Sequence, residues 1–327
     1  MQVVIPLAGQ GTRLLPLTET VPKPLVHVAG RPILDYLLEA IAPLDVEELV
    51  LITGHLGDQV ENYVTKHYRG PIRIVEQDVM DGTGGAVWRA RPFIHTPVLI
   101  LFADTLFDAD LTLIQRIDAD GVMWVNEVEN PESFGVVITD DNGYVRKIIE
   151  KQRQASSNLA NIGLFYIKDW QGMFEGLERV MSEPPIKGEW FLTYAFQDMI
   201  DRGRNILSAR VEGWYDCGTL NTMLETNRHL LNCARGKPQP APHGVTIHAP
   251  VRIAPDVELR NCTIGPNVCI EDGSVVVSAR LRDTMVGRKC RVVGSTLERC
   301  LVGDSVSLEQ VEHRNRIITR DGMADAP

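Results

Sequence analysis

The sequence predicts an α/β fold, a mostly parallel mixed sheet with helices on both faces, followed by a short parallel β-helix. Three observations carry this. Up to about Cys233, compact aliphatic runs alternate with helix-length amphipathic stretches. Residues 235–242 then hold three prolines and a glycine, a composition that neither a helix nor a central strand tolerates. Beyond that tract, aliphatic residues recur at steps of five or six. The expected division is 1–234 for the α/β domain, 235–243 for a linker and 244–327 for the β-helix.

Val3–Leu7, Leu49–Thr53, Ile72–Glu76 and Val98–Phe102 read as strands, and Pro32–Ala42, Gly57–His67 and Gly84–Arg91 have helical spacing. Parallel neighbours require crossovers, so this alternation covers both faces of the sheet. After Met123 the rhythm becomes hairpin-like. Phe134–Thr139 and Val145–Glu150 flank Asp140-Asp141-Asn142-Gly143, whose Asn-Gly favours a tight turn. Further helices are expected at Trp170–Met181, Phe191–Arg202 and Leu220–Ala234. In the C-terminal part the repeat runs through Ile247, Ile253, Leu259, Ile264, Ile270, Val276, Leu281, Val286, Val292, Leu297, Val302 and Leu308. Hexads of this kind, with Gly265, Gly287 and Gly303 expected at corners, coil the chain so that aliphatics stack inside it. About four triangular turns fit, at ~18 residues each.

The 327 residues carry 33 Lys+Arg against 43 Asp+Glu, a net charge of −10. Nucleic acids and anionic membranes are bound by clustered Lys and Arg, so neither is an expected partner. A polyanionic small molecule would need a local basic pocket. No apolar run approaches the ~20 residues that span a bilayer. The opening Met1-Gln2-Val3-Val4-Ile5-Pro6 carries no basic leader, and a cytoplasmic protein is expected. The six cysteines show no Cys-x-x-Cys spacing and are expected to be small buried hydrophobes.

The most informative segment is Leu7-Ala8-Gly9-Gln10-Gly11-Thr12-Arg13-Leu14, directly after the first strand. Glycines there let the backbone turn its amide N–H groups toward a phosphate, and Arg13 adds a multi-donor cation. It is not a dinucleotide fingerprint, because no third glycine follows three residues after Gly11. Ten residues after Arg13 comes Pro22-Lys23-Pro24-Leu25, then Gly30-Arg31-Pro32. Together these closely resemble the signature of the sugar-1-phosphate nucleotidylyltransferases, with Arg31 in place of the common Lys. Later segments resemble the same family in the same order, over almost the whole chain.

The resemblance implies a Rossmann-like nucleotidyltransferase domain followed by a left-handed β-helix, and an enzyme that joins a nucleoside triphosphate and a sugar 1-phosphate. It places Ala8, Gly9, Gly11 and Thr12 on the nucleotide's phosphates, Arg13 on the β/γ-phosphates and Lys23 beside the reacting phosphoryl group. Gln77-Asp78-Val79-Met80-Asp81-Gly82-Thr83-Gly84-Gly85 looks like the family's base-recognition loop, with Gln77, Gly82 and Thr83 as its contacts. Gln77 is similar to members that read uracil, which favours UTP or dTTP over GTP; Gly85 lacks a side chain that several relatives carry. Asp104, after a buried-type strand, and Asp216 in Trp-Tyr-Asp-Cys-Gly-Thr match the family's Mg²⁺ ligands, with Ala103 in place of a glycine. Gly135, Glu150, Lys151 and Asn161 match its sugar-phosphate pocket, while Tyr194 stands where the family usually has Asp.

The implied product is UDP- or dTDP-glucose or a close relative. The alternatives are a GDP-mannose pyrophosphorylase-like activity and a regulatory paralogue that binds without turnover, whose mark would be loss of Arg13, Lys23 or an acid; all are present. The β-helix is expected to serve homo-oligomer formation. Some relatives transfer acyl groups there, with His243, His248 and His313 the available bases, but no helical insertion is evident.

Overall fold

The computed structural model describes residues 1–150, 157–233 and 241–325. In chain order its elements up to Cys233 are β1 (Gln2–Pro6), the short arms β2 (His27–Val28) and β3 (Arg31–Pro32), α1 (Ile33–Ile41), β4 (Glu48–Thr53), α2 (Gly57–His67), β5 (Ile72–Glu76), α3 (Gly82–Arg89), β6 (Val98–Leu101), β7 (Thr105–Asp108), β8 (Gly121–Glu127), β9 (Gly135–Thr139), β10 (Val145–Glu150), β11 (Leu159–Ile167), α4 (Trp170–Ser182), α5 (Leu192–Asp201), β12 (Ile206–Arg210), β13 (Gly213–Asp216) and α6 (Leu220–Cys233). Every strand and helix expected from periodicity is present, its ends shifted by two residues at most. The chain divides into two compact units, Met1–Gly9 with Leu37–Trp214, and Gln10–Tyr36 with Tyr215–Pro327. Most of the expected 235–243 linker lies outside the described residues, and the division at 235 stands as a proposal from sequence.

The first unit is built on a nine-stranded sheet, ordered β10-β9-β11-β6-β1-β4-β5, with β8 beside β11 and β12 beside β8. Strands β6, β1, β4 and β5 run parallel, while β11 pairs antiparallel with β6, which makes the sheet mixed. Val3–Ile5, Leu49–Ile52 and Val98–Leu101 are wholly buried, as continuous apolar runs covered on both faces must be. Since those four strands are parallel, their carboxyl ends share one edge, where ligands of open α/β sheets bind. In β11 the register shifts between Asn161 and Phe165 around Gly163. Gly163 has a φ of +77°, and a Cβ there would meet Phe102 at 2.7 Å. Only glycine permits this bulge, which bends the strand next to Asn161.

In the second unit the C-terminal strands form three sheets, parallel throughout except for Met323–Asp325, which pairs antiparallel with Arg316–Ile318 at the end of the second. One stacks Thr246–Ile247, Thr263–Ile264, Arg280–Arg282, Thr296–Glu298 and Glu312–Arg314; the next stacks Val251–Ile253, Val268–Ile270, Met285–Val286, Leu301–Val302 and Arg316–Ile318; the third stacks Glu258–Arg260, Val275–Val277, Arg291–Val293 and Ser307–Glu309. Their registers align Ile247, Ile264, Leu281 and Leu297 in one column, Ile253, Ile270, Val286 and Val302 in a second, and Leu259, Val276, Val292 and Leu308 in a third. The hexads read from the sequence are therefore the three inner columns of a parallel β-helix. Ile270→Ala is expected to destabilise the β-helix by about 2–5 kcal/mol, read as a lower denaturant midpoint, because the coils above and below cannot collapse onto the void.

Of the three glycines expected at corners, Gly265 is borne out, with a φ of +102° and a Cβ there meeting His248 O at 1.9 Å, whereas Gly287 and Gly303 are corrected. The left-handed corner positions are mostly Asn267, Ser278, Asp283, Lys289, Arg299, Ser305, Gln310 and Asn315, with Gly273 and Gly294 among them. Each corner N–H can bond the preceding coil, as Ser278 does to Arg260 O at 2.9 Å and Asp283 to Pro266 O at 2.9 Å. Gly287 and Gly303 have no positive φ; a Cβ at Gly287 would meet the Gly303 backbone at 2.8 Å, so it serves close approach between coils.

Cys217, Cys262, Cys269, Cys290 and Cys300 are buried as expected, but Cys233 is exposed beside His229. Cys290 donates to Gly303 O at 3.0 Å, and burial pushes its thiol up to about 11, the behaviour of packing rather than reactivity. On the middle sheet, Cys269, Met285, Leu301 and Ile317 face away from the inner column and are still buried. Part of that cover comes from segment 10–36 of the same unit: Leu17 lies 3.1 Å from where a Cβ on Gly303 would stand, Arg252 lies across Gly30, and His27 Nδ1 approaches Glu271 at 3.3 Å. No helix among the described residues is long and apolar enough to cross a membrane.

Candidate active site

In the first unit, Ala8 follows β1 at the sheet's carboxyl edge. Leu7 N–H donates to Ile52 O at 2.7 Å, and Gln77 N–H to Thr53 O at 2.7 Å. A Cβ on Gly54 would meet Ala8 Cβ at 2.9 Å and Gln77 O at 3.2 Å, so the ends of β1, β4 and β5 converge. A Cβ on Gly9 would meet nothing within 4 Å, which leaves its backbone open to approach. Gln77 is buried, and its Nε2 donates to Asp81 Oδ1 at 2.8 Å and Gly82 O at 3.3 Å. Asp81, which directly precedes α3, makes no side-chain cap and turns its carboxylate to Gln77 and Arg89. Gly82 has a φ of +95° and sits against Trp190 O, while Thr83 Oγ1 accepts from Leu192 N–H at 3.1 Å. Thr83 thus also braces the loop.

Asp104 stands in the turn between β6 and β7, at the carboxyl end of β6 where the sequence placed it. Ala103 is buried in ordinary backbone, so its methyl introduces no strain. Gly135, Glu150 and Asn161 come together: Asn161 Nδ2 donates to Gly135 O at 2.8 Å, and a Cβ on Gly135 would meet Glu150 Oε1 at 2.6 Å. Sequence reasoning missed Thr193, whose hydroxyl donates to Glu150 Oε1 at 2.6 Å. Tyr194 lies close enough that burial, then the Glu150 charge, raise its phenol above the ordinary value. Trp214 packs edge-on to Phe134 at 5.0 Å and donates its indole N–H to Thr105 Oγ1. Lys151 lies outside the described residues.

In the second unit, Gly11 turns at a φ of +65°; a Cβ there would meet Thr18 Cγ2 at 2.9 Å and Lys23 Cβ at 3.3 Å. Thr18 Oγ1 donates to Gly11 O at 3.0 Å, so the loop is tied down onto the Lys23 stem. Thr12 and Arg13 are exposed on the following 3-10 turn, Thr12–Leu14. Lys23 begins another, Lys23–Leu25, between Pro22 and Pro24. Arg13 and Asp216 both approach Gly218, where a Cβ would lie 2.7 Å from Arg13 Nη2 and 3.0 Å from Asp216 Oδ1. Asp216 does not cap α6. Thr219 does, accepting from Thr222 N–H at 3.2 Å, which leaves the Asp216 carboxylate to this cluster.

The chain is similar to several known proteins. "Bifunctional protein GlmU" of Methanococcus aeolicus is 36% identical over 232 residues, covering 71% of this chain and 54% of that protein. "Glucose-1-phosphate thymidylyltransferase" of Streptomyces antibioticus is 30% identical over 310 residues, covering 91% and 86%. A crystal structure of UDP-glucose pyrophosphorylase complexed with UDP-glucose aligns with a TM-score of 0.63 at 24% identity, over 71% of this chain and 98% of that one, and shows the fold. The chain spans little more than half the length of the GlmU protein it matches. Residues 2–232 match the model of the nucleotidyl transferase family, and with the sheet, the glycine loop and the signature in place, the chain belongs to that family of sugar-1-phosphate nucleotidylyltransferases.

Proposed function

We propose that the protein transfers a nucleotidyl group from UTP or dTTP to a sugar 1-phosphate, with glucose 1-phosphate the first candidate, forming a nucleotide-sugar and pyrophosphate. The observation that carries this is the Gly11 turn packed onto Lys23, with the Arg13 and Asp216 side chains both close to Gly218. The Streptomyces antibioticus relative bears the name of such an activity.

An oxygen of the sugar phosphate forms a bond to the α-phosphorus while the bond to the β-phosphate oxygen breaks, its electron pair leaving with pyrophosphate. The nucleophile is already ionised, so no general base is required. What the protein must supply is orientation and cations that offset repulsion between anions. Arg13 and the amides of residues 8–12 bind the leaving phosphates, and Lys23 stands by the reacting group. Glu150, fixed by Thr193, receives sugar hydroxyls beside Asn161, with Lys151 proposed for the 1-phosphate. Asp104 and Asp216 are the proposed Mg²⁺ ligands. Carboxylate oxygens are hard donors of the kind Mg²⁺ takes, and two of them leave its remaining positions to substrate phosphates and water. Bound there, Mg²⁺ would neutralise developing phosphate charge.

Gly218→Ala is expected to displace the Arg13 guanidinium and raise KM for the triphosphate about tenfold, the loss of one charged hydrogen bond of ~1.5 kcal/mol, with Tm unchanged. Steady-state kinetics beside a melting curve checks it. Pyrophosphate release across a panel of triphosphates and hexose 1-phosphates tests the function itself; turnover with none of them would leave the regulatory reading. Self-association through the β-helix is proposed for the two sheets whose outer positions are exposed and charged, such as Arg280, Arg282 and Glu312 on one and Glu258 and Arg291 on the other.

A further inference from the structure

We infer that Asp81, held by Arg89, is a specificity-determining residue that fixes which end of the Gln77 amide faces the base. The loop then accepts pyrimidines with a ring N–H and rejects cytosine. This rests on the reading of residues 77–83 as the base loop.

An Asn or Gln amide is ambiguous when its neighbours can both donate and accept, but an ionised carboxylate and a carbonyl only accept. Gln77 faces one of each, Asp81 Oδ1 at 2.8 Å and Gly82 O at 3.3 Å, so both hydrogens of its NH₂ are engaged inside the loop. Among the described residues no donor reaches Gln77 Oε1, and it is not among the wholly enclosed unpaired atoms. The side chain can therefore offer a ligand only an acceptor. Uracil and thymine present N3–H and satisfy it. Cytosine presents a lone pair at N3 and repels it in the same register.

The restraint is built in. Arg89 donates to Asp81 Oδ2 at 2.9 Å, to Gly85 O at 2.8 Å and to Asp78 Oδ1 at 3.1 Å. A Cβ on Gly85 would lie 2.0 Å from Asp81 Oδ1, so the absence of a side chain at 85 makes room for the carboxylate. Rotating the Gln77 amide would set its oxygen against both the carboxylate and the Gly82 carbonyl, so the rotamer is locked. Asp81 touches no base in this arrangement and acts through Gln77.

The test measures Kd for UTP and CTP with Mg²⁺ by calorimetry, together with kcat/KM for each, on the parent protein and three variants. The parent is expected to prefer UTP by at least about 10²-fold. Asp81→Leu, and the double change with Arg89→Met that removes both partners of the pair, should each cut that preference about tenfold by improving CTP more than they harm UTP. Asp81→Asn, whose amide can present either end to Gln77, should weaken the preference less than Asp81→Leu. A folded Asp81→Leu or double variant with the parent's UTP:CTP ratio, or a parent that binds both alike, would overturn the proposal while leaving the nucleotidyltransferase reading intact. A parent that binds no nucleoside triphosphate would overturn that reading instead.

Discussion

Asp104→Asn is expected to lower kcat by about 10²- to 10³-fold at saturating Mg²⁺, the scale lost when one preorganised charge contact to a transition state is removed. The substitution keeps the size and shape of the side chain and changes one oxygen to nitrogen. Asp104 sits in the turn after β6, whose Val98–Leu101 are wholly buried and untouched by the change, so folding should be preserved and Tm should move by no more than a degree or two. The loss should therefore be chemical. Because an amide is a poor ligand for a hard cation, the Mg²⁺ concentration for half-maximal rate should also rise. Turnover within a few-fold of the parent, at unchanged Mg²⁺ dependence, would remove Asp104 from the metal assignment.

Lys23→Met is expected to cost a comparable factor in kcat with a smaller effect on KM. Methionine preserves the apolar stem that packs beneath Gly11, so the loop should keep its course. What disappears is the ammonium at the end of a side chain whose backbone is set by Pro22 and Pro24. If the ammonium acts on the charge that builds as the α-phosphorus is attacked, binding of the ground-state triphosphate should suffer less than turnover. Lys23→Arg should recover part of the rate, since charge returns with a different reach. Equal activity in Lys23→Met would show that the residue is only part of the turn. Matched single-turnover and titration measurements separate these outcomes.

Much of this was legible in the sequence because its signals are local. The strand runs at residues 3–7, 49–53 and 98–102 needed only their aliphatic composition, and the hexads from Ile247 to Leu308 fell onto the three inner columns residue by residue. The glycine loop announced itself through Gly11, whose positive φ and contact with Lys23 leave no room for a side chain. What escaped depends on partners distant in the chain. Nothing near Thr193 shows that its hydroxyl serves Glu150, 43 residues away. Asp81 stands out in the loop sequence by nothing but its charge, and only the fold shows it committed to Gln77 and Arg89. The β-helix corners misled for a different reason. A hydrogen bond to the preceding coil at 2.9 Å holds Ser278 and Asp283 in the left-handed conformation, a compensation no single repeat reveals. The buried outer face at Cys269, Met285 and Leu301 likewise required knowing that segment 10–36 packs there.

Every role proposed for the site depends on the loop after β1 gripping a triphosphate. A crystal structure with Mg²⁺ and a non-hydrolysable UTP analogue tests it directly. The predicted result is triphosphate density against the amides of residues 8–12 and the Arg13 and Lys23 side chains, with uracil N3–H on Gln77 Oε1. Nucleotide density elsewhere on the protein, with that loop unliganded, would contradict the account.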